Sequence, residues 1–317
     1  MNAYKQLLLR IFDVMLAPFV AMATIPMRLA RWKKTSSLPI TFAIFRRMGV
    51  FPIKAHYYEP QFDCVGLDKD NPPRNLPGIA FAMDRQMALL SQFKDVARLD
   101  AVLARPGAGN GFRMENPNFG TGDAEIWFHV IRHFRPARIV EIGSGYSTLM
   151  AKLALDTLRA DDPAYRCDHV CIEPYEMPWL EETGVRVIRS RFEDCDLPDI
   201  RALAPNDILF IDSSHMIRSG GDVLREILEV LPGLAPGVVV HFHDIFSPRD
   251  YPVKWRLEPR FWNEQYLLEA FLSHNSAFEI LLAVNMLKHA QFDALKAVCP
   301  RLAEEREPGS FYLRRVR

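Results

Sequence analysis

A strand that runs into a Gly-x-Gly turn and then a helix constrains this chain more than any other feature. Ile139-Val140-Glu141-Ile142 is a mainly apolar run of the kind buried on both faces of a parallel sheet. Gly143-Ser144-Gly145 ends the run, and a helical pattern follows over 147–159. Such a turn lets backbone approach a ligand closely at the mouth of an open α/β sheet. Two later stretches, 207–215 and 238–244, repeat the pattern of a buried strand that ends in polar side chains. Three such ends together point to a site.

The pattern is regular from residue 121 onward. Thr121-Gly122-Asp123 is expected to cap a helix to His133. Strands are expected at 137–142, 168–173, 185–189, 207–212 and 238–243, with a closing strand–helix–strand unit at 278–284, 290–298 and 310–315. Ser219-x-x-Asp222 reads as a capping box opening a helix over 222–231, and a further helix is expected at 262–273. Strands alternating with helices imply an α/β fold with a doubly wound, mostly parallel sheet. Residues 35–120, rich in proline, read as an irregular N-terminal cap with one helical piece, Met83 to Leu99. The expected organisation is therefore 1–34, 35–120 and 121–317.

Residues 1–34 stand apart. Leu7 to Leu9, Ile11, Phe12 and Val14 to Met27 are mainly apolar, and Arg28, Arg31, Lys33 and Lys34 follow as a basic flank. The uncharged run of 14 residues, Val14 to Met27, is short of the ~20 a spanning helix needs, and Pro18 and Pro26 are expected to interrupt it. The order is wrong for a secretory signal. Two readings stand: a helix packed on the domain or on a second subunit, and an anchor lying in the cytoplasmic membrane face. Lys+Arg and Asp+Glu are both 39, which gives no global electrostatic case for nucleic acid. The five cysteines form no C-x-x-C pair and read as reduced thiols of a cytoplasmic protein.

The strand ends carry the chemistry. A dinucleotide loop wants a third glycine and an acid about 20 residues on. Here Thr148 holds the third position and Glu173 stands 28 residues past Gly145, so a nicotinamide-dependent oxidoreductase is disfavoured. Glu173 can still accept hydrogen bonds from a ribose diol. In Asp207-Ile-Leu-Phe-Ile-Asp212-Ser-Ser-His215, a carboxylate emerges from a buried strand with an imidazole three residues on, suited to a ligand and a general base. In Val238-Val-Val-His241-Phe-His243-Asp244, the two histidines share a face and Asp244 follows. Asp212 and Asp244 on neighbouring strand ends could hold a hard divalent cation, Mg²⁺ or Mn²⁺, with His243 as a nitrogen ligand. The alternative is a metal-free pair of acids contacting substrate. His241 is expected to pack inside the sheet layer.

These residues resemble the class I S-adenosylmethionine-dependent methyltransferases, and among them the bacterial branch that includes the macrolide-sugar O-methyltransferases. Glu141-Ile-Gly-Ser-Gly-Tyr-Ser-Thr148, Ile172-Glu173-Pro174, Phe210-Ile-Asp-Ser-Ser-His215 and His243-Asp244-Ile-Phe carry the likeness. The resemblance implies a Rossmann-like sheet with the last strand inserted antiparallel. It implies that Glu141, Gly143, Ser144, Gly145 and Ser147 hold the methionine end of S-adenosylmethionine, and that Glu173 holds the ribose. Glu193, in the loop after strand three, would border the adenine, and Asp212 would join the cofactor site. It also implies a metal at Asp212 and Asp244 and a base at His215. Where the sugar-modifying relatives have a carboxylate, this chain has His243.

The expected function is O-methylation of a hydroxyl of a sugar or glycoconjugate in glycan biosynthesis, with a small-molecule or sugar acceptor as the partner. Tyr57, Tyr58 and Asp63 would shape the acceptor site. Homo-oligomerisation and association with the inner face of the membrane are compatible with residues 1–34. A different class of protein, a catalytically silent cofactor-binding scaffold in a biosynthetic complex, is disfavoured by the intact Asp212, His215 and Asp244.

Overall fold

A computed structural model describes residues 3–33, 37–53, 58–60, 71–104, 111–258 and 260–317. The chain forms two compact units, Met1–Leu67 and Asp68–Arg317. The division falls inside the 35–120 stretch expected as one cap.

The first unit is built on a helix, α1 (Ala3–Trp32), that continues through Pro18 and Pro26. Its segment Tyr4–Trp32 is long and apolar enough to cross a membrane. This corrects the expectation of a run too short to span and interrupted by its prolines. Each proline removes one backbone donor, and the Met-, Leu- and Ala-rich turns around it carry the helix past. A second helix, α2 (Pro39–Met48), has proline in its first turn and stops at Gly49 in the left-handed conformation.

The second unit opens with α3 (Met83–Leu90) and α4 (Val96–Leu103). The single helix expected over Met83–Leu99 is thus two, and the break lets Leu90, Phe93 and Leu99 all enter the core. Next come α5 (Asp123–Phe134) and α6 (Tyr146–Asp161), and the strands β1 (Arg138–Ile142), β2 (Asp168–Ile172), β3 (Arg186–Ile188), β4 (Ile208–Ile211), β5 (Val239–Phe242), β6 (Phe278–Ala283) and β7 (Phe311–Arg315). They form one sheet in the order β3-β2-β1-β4-β5-β7-β6. β7 runs antiparallel to both its neighbours, and the remaining pairs are parallel. This is the doubly wound, mostly parallel sheet with an antiparallel last strand that the sequence predicts.

Side-chain alternation divides the core into two layers. Ile139, Ile208 and Phe210 face the layer that holds α5 and α6, with Trp127 and Phe128 at its centre. Val140, Ile142, Leu209, Ile211 and Phe242 face the other, where Ile227 and Leu268 cover them. The chain order reverses between β1 and β4, so a crevice opens beyond their C-terminal ends, where such sheets bind ligands.

Candidate active site

The crevice holds a cavity of about 430 Å³. Its floor is the Gly143 turn. Gly143 has φ of 76°, and a Cβ there would lie 1.9 Å from the Asp212 carbonyl oxygen, so no other residue fits. The Gly143 N–H donates to Ile172 O (3.0 Å) and the Asp212 N–H to Ile142 O (2.8 Å), which ties the ends of β1, β2 and β4 together. Ser144, Gly145, Ser147, Glu173, Glu193 and Asp212 all line the cavity. Glu173 Oε1 accepts the Tyr175 and Glu176 N–H groups (3.0 and 2.9 Å), and Oε2 lies 3.4 Å from the Ser144 N–H. The turn therefore holds Glu173 in place at the cavity wall. Glu193 sits beside Arg218 (3.4 Å) on the same wall.

Glu141 differs from its expected place. It is fully buried and does not line the cavity. Its Oε2 accepts the Ser147 and Thr148 hydroxyls (2.8 and 2.9 Å), and its Oε1 pairs with His169 Nε2 at 2.5 Å. Glu141 points to the α5–α6 layer, as alternation from Ile139 requires, and its bonds fix the start of α6. Thr148, at the third glycine position, also accepts the Gly145 N–H (3.2 Å). Burial disfavours a charge on His169, but the neighbouring Cys171 and Glu141 outweigh it and raise its pKa to about 10.

Asp212 joins this cavity to a second cluster. His215 Nε2 lies 3.3 Å from Asp212 Oδ1 and 3.9 Å from Asp244 Oδ2. His243 Nδ1 lies 3.3 Å from Asp212 Oδ1 and 3.6 Å from Asp244 Oδ1. Ligand atoms of Asp212, His215 and Asp244 converge within 4.8 Å of one another, a spacing that could hold a metal ion. The imidazole expected as base thus also stands at ligand distance, beside the expected set of Asp212, His243 and Asp244. His243 Nε2 is buried with no hydrogen-bond partner, 3.8 Å from Asp123 Oδ2.

His215 and Asp244 both adopt positive φ, 58° and 60°. Backbone of this kind in residues other than glycine collects at functional sites. Gly309 permits it at Asp244, since a Cβ there would meet the Asp244 Cα at 2.8 Å. The charges are strongly coupled. Burial raises the Asp212 pKa, but His243 and His215 outweigh it and hold the carboxyl far below its usual range. Burial pushes Asp244 up to about 6 against the pull of the same two histidines. Burial lowers the proton affinity of His215, yet its bonds to Asp212 and Glu264 raise it well above normal.

Four contributors escaped the sequence reading. Glu264, at the start of the helix Glu264–Leu272, accepts from His215 Nδ1 at 2.8 Å and is 1% exposed. The N–H groups of Asn263 and Glu264 both donate to His215 O (3.0 and 3.2 Å). Trp262 lies 4.2 Å from the His215 ring, centre to centre. Glu226, fully buried, accepts from the Ser213 hydroxyl (3.1 Å) in a π-helical turn, Glu226–Val230. The Ser219-x-x-Asp222 box does not form. Asp222 instead accepts the Ser214 N–H and hydroxyl (3.0 and 2.7 Å), because the helix begins directly after the extended Gly221. His241 is buried as expected, stacked 4.0 Å from Tyr312 and bonded to Ser310 Oγ (2.9 Å). Tyr57 and Asp63 lie outside the described residues, and Tyr58 is exposed in the first unit.

Residues 140–245 match a family described as a methyltransferase domain. No curated protein matches the chain. It is similar to the solved O-methyltransferase TomG from Streptomyces achromogenes, involved in tomaymycin synthesis and bound to S-adenosylmethionine. Identity is 17%, covering 72% of this chain and 90% of that one, with a TM-score of 0.33. An O-methyltransferase from Bacillus cereus with S-adenosylhomocysteine gives 14%, 73%, 91% and 0.35 in the same order. MycE of the mycinamycin biosynthetic pathway, solved with Mg, S-adenosylhomocysteine and mycinamycin VI, gives 19%, 72%, 56% and 0.35.

Proposed function

We propose that this chain, which carries a methyltransferase domain of the class I S-adenosylmethionine-dependent type, methylates a hydroxyl group of a sugar or glycoconjugate. One observation carries the O-methyl reading: Asp212 is shared by the cavity wall and by the His215 cluster, with 3.3 Å between the Asp212 and His215 side chains. A cofactor in the cavity and a proton acceptor beside it would then meet at one point. The cavity fits the cofactor. The Gly143–Gly145 turn brings bare backbone to the cavity wall, Ser144 Oγ is buried with no partner, and Glu173 is held against the wall for a diol.

In the reaction the methyl group passes from sulfur to the acceptor oxygen, and S-adenosylhomocysteine leaves. The oxygen's proton goes to His215, and Glu264 fixes the ring through Nδ1 so that Nε2 faces the acceptor. Alignment of the two reactants supplies most of the remaining acceleration. Asp212 and Asp244, with the His243 imidazole beside both, are a donor set suited to a divalent cation that leaves His215 Nε2 for the proton. Such an ion, when bound, would neutralise the two carboxylates and lower the pKa of the acceptor hydroxyl. Trp262, 4.2 Å from the His215 ring with the Arg260 guanidinium 5.1 Å from its own ring, sets an aromatic side chain beside the base, a setting that suits a sugar.

Methyl-labelled S-adenosylmethionine incubated with a panel of nucleotide sugars and glycolipids tests this. Label should arrive on oxygen, and His215→Ala should lower turnover by roughly 10²–10⁴ with cofactor affinity retained. Label on nitrogen or carbon, or no binding of S-adenosylmethionine by calorimetry, would overturn it.

A further inference from the structure

We propose that α1 crosses a lipid bilayer, with its basic flank on the anionic side. The helix carries none of the candidate site residues, and its surface is not that of a helix built for water. Leu7, Leu8 and Leu9 are all exposed, as are Met15 and Leu16. Successive helical residues point about 100° apart, so apolar surface lies on every side. Over Val14–Met27 Thr24 alone has a polar side chain, and its hydroxyl turns back to Ala21 O at 2.8 Å. A helix lying in the headgroup plane needs a polar face, which this stretch lacks. A core helix is covered by its own protein, whereas none of the most apolar window of this one is buried.

Length and charge agree with a crossing. At ~1.5 Å per residue, 29 residues reach about 43 Å, against ~30 Å of hydrocarbon. Arg10 and Arg28 bound the apolar stretch, and their long side chains can reach out to the headgroups. Asp13 stands one turn inside Arg10, near that boundary. Arg28 and Lys33 stand at the other end with Arg31, which pairs with Glu59, and Arg46 and Arg47 of α2 follow. Such a cluster complements anionic lipid and marks the cytoplasmic side by the charge bias of membrane proteins. α2 supplies a second, independent sign. Ile40, Ile44 and Met48 are exposed at four-residue spacing, a single apolar stripe beside its arginines. That pattern suits a helix at the headgroup level, next to the point where α1 leaves the membrane.

Flotation of the full chain with vesicles of phosphatidylcholine and phosphatidylglycerol tests the proposal. The chain should rise with the vesicles, and neither high salt nor alkaline carbonate should release it. Phe19→Asp combined with Val20→Asp puts two charges at mid-helix and should cut the floated fraction at least about tenfold. Leu16→Ala with Val20→Ala keeps the helix apolar and should float as the parent does. Unfolding of the second unit, followed by near-ultraviolet circular dichroism, should be the same in all three. Release by salt or carbonate would overturn the crossing in favour of surface attachment. A chain that stays in solution without lipid as a discrete dimer would overturn it in favour of a second copy covering the helix.

Discussion

In the proposed reaction Glu264 would act on the acceptor only through His215, which makes such a role separable from a structural one. Glu264→Gln keeps the shape and removes the charge. It should lower kcat roughly 10–100-fold, the loss typical when the carboxylate behind a functional imidazole is removed, with little change in the KM for S-adenosylmethionine. Glu264 raises the proton affinity of His215, and His215 must be neutral to accept a proton. Turnover therefore climbs as pH passes the His215 pKa, and Glu264→Gln should move that limb to lower pH. A limb that stays put would reduce Glu264 to packing. Gly143→Ala is a different matter. Positive φ and a Cβ 1.9 Å from a carbonyl oxygen should cost more than about 2 kcal/mol of stability in urea unfolding. His169 offers a pH test. Its pKa rises from 6.5 to about 10 on folding, so its stabilisation is complete below 6.5 and lost as pH climbs through 10. The stability difference between the parent and His169→Gln should shrink over that range. Asp212, His215 and Asp244 were legible because each follows an apolar strand. Glu264 was not, because it reaches His215 across 49 residues and looks locally like any acid in a first helical turn.

Strands were read from sequence more closely than helices, and the reason lies in where their partners sit. β4 is an unbroken apolar run, and β5 is one broken only by His241; both are buried on both faces, so composition marks them. The 83–99 segment keeps helical spacing throughout, and only the core beneath it decides that the helix breaks after Leu90. Asp222 had the spacing of a cap, yet Ser214, brought near by the loop after β4, competes for its carboxylate. The segment at 71–82 shows how a stretch without periodicity is ordered by ion pairs. Arg74 bonds Glu269 Oε2 at 2.8 Å, lies 3.0 Å from Asp250, and stacks over Tyr266. Its backbone N–H donates to Pro248 O (2.9 Å). Arg74→Ala leaves the nearly buried Glu269 without its cation and should cost about 1–3 kcal/mol. Denaturant unfolding measures this, and a change below about 0.5 kcal/mol, the usual range for surface substitutions, would mean the segment is held by its backbone alone.

At the scale of the whole molecule the charge is balanced, with 39 basic and 39 acidic side chains, but the site is not. Four carboxyl groups, Asp123, Asp212, Asp244 and Glu264, contact two imidazoles, His215 and His243. Even with both rings protonated the cluster carries a negative surplus in a largely buried setting. The structure relieves it by raising the pKa values of Asp244 and Glu264, in both cases chiefly through burial. A divalent cation would relieve it more fully, and that is the physical ground for expecting one. Mg²⁺ or Mn²⁺ at about a hundred times its Kd should therefore stabilise the second unit by about 2.7 kcal/mol, with no cofactor or acceptor present. Asp212→Asn with Asp244→Asn should remove the effect. Methyl transfer should stop in a chelator and return with either ion. Unchanged unfolding in Mg²⁺ and Mn²⁺, together with full activity after exhaustive chelation, would leave Asp212 and Asp244 as a metal-free pair, hydrogen-bonded to the acceptor and to the two histidines.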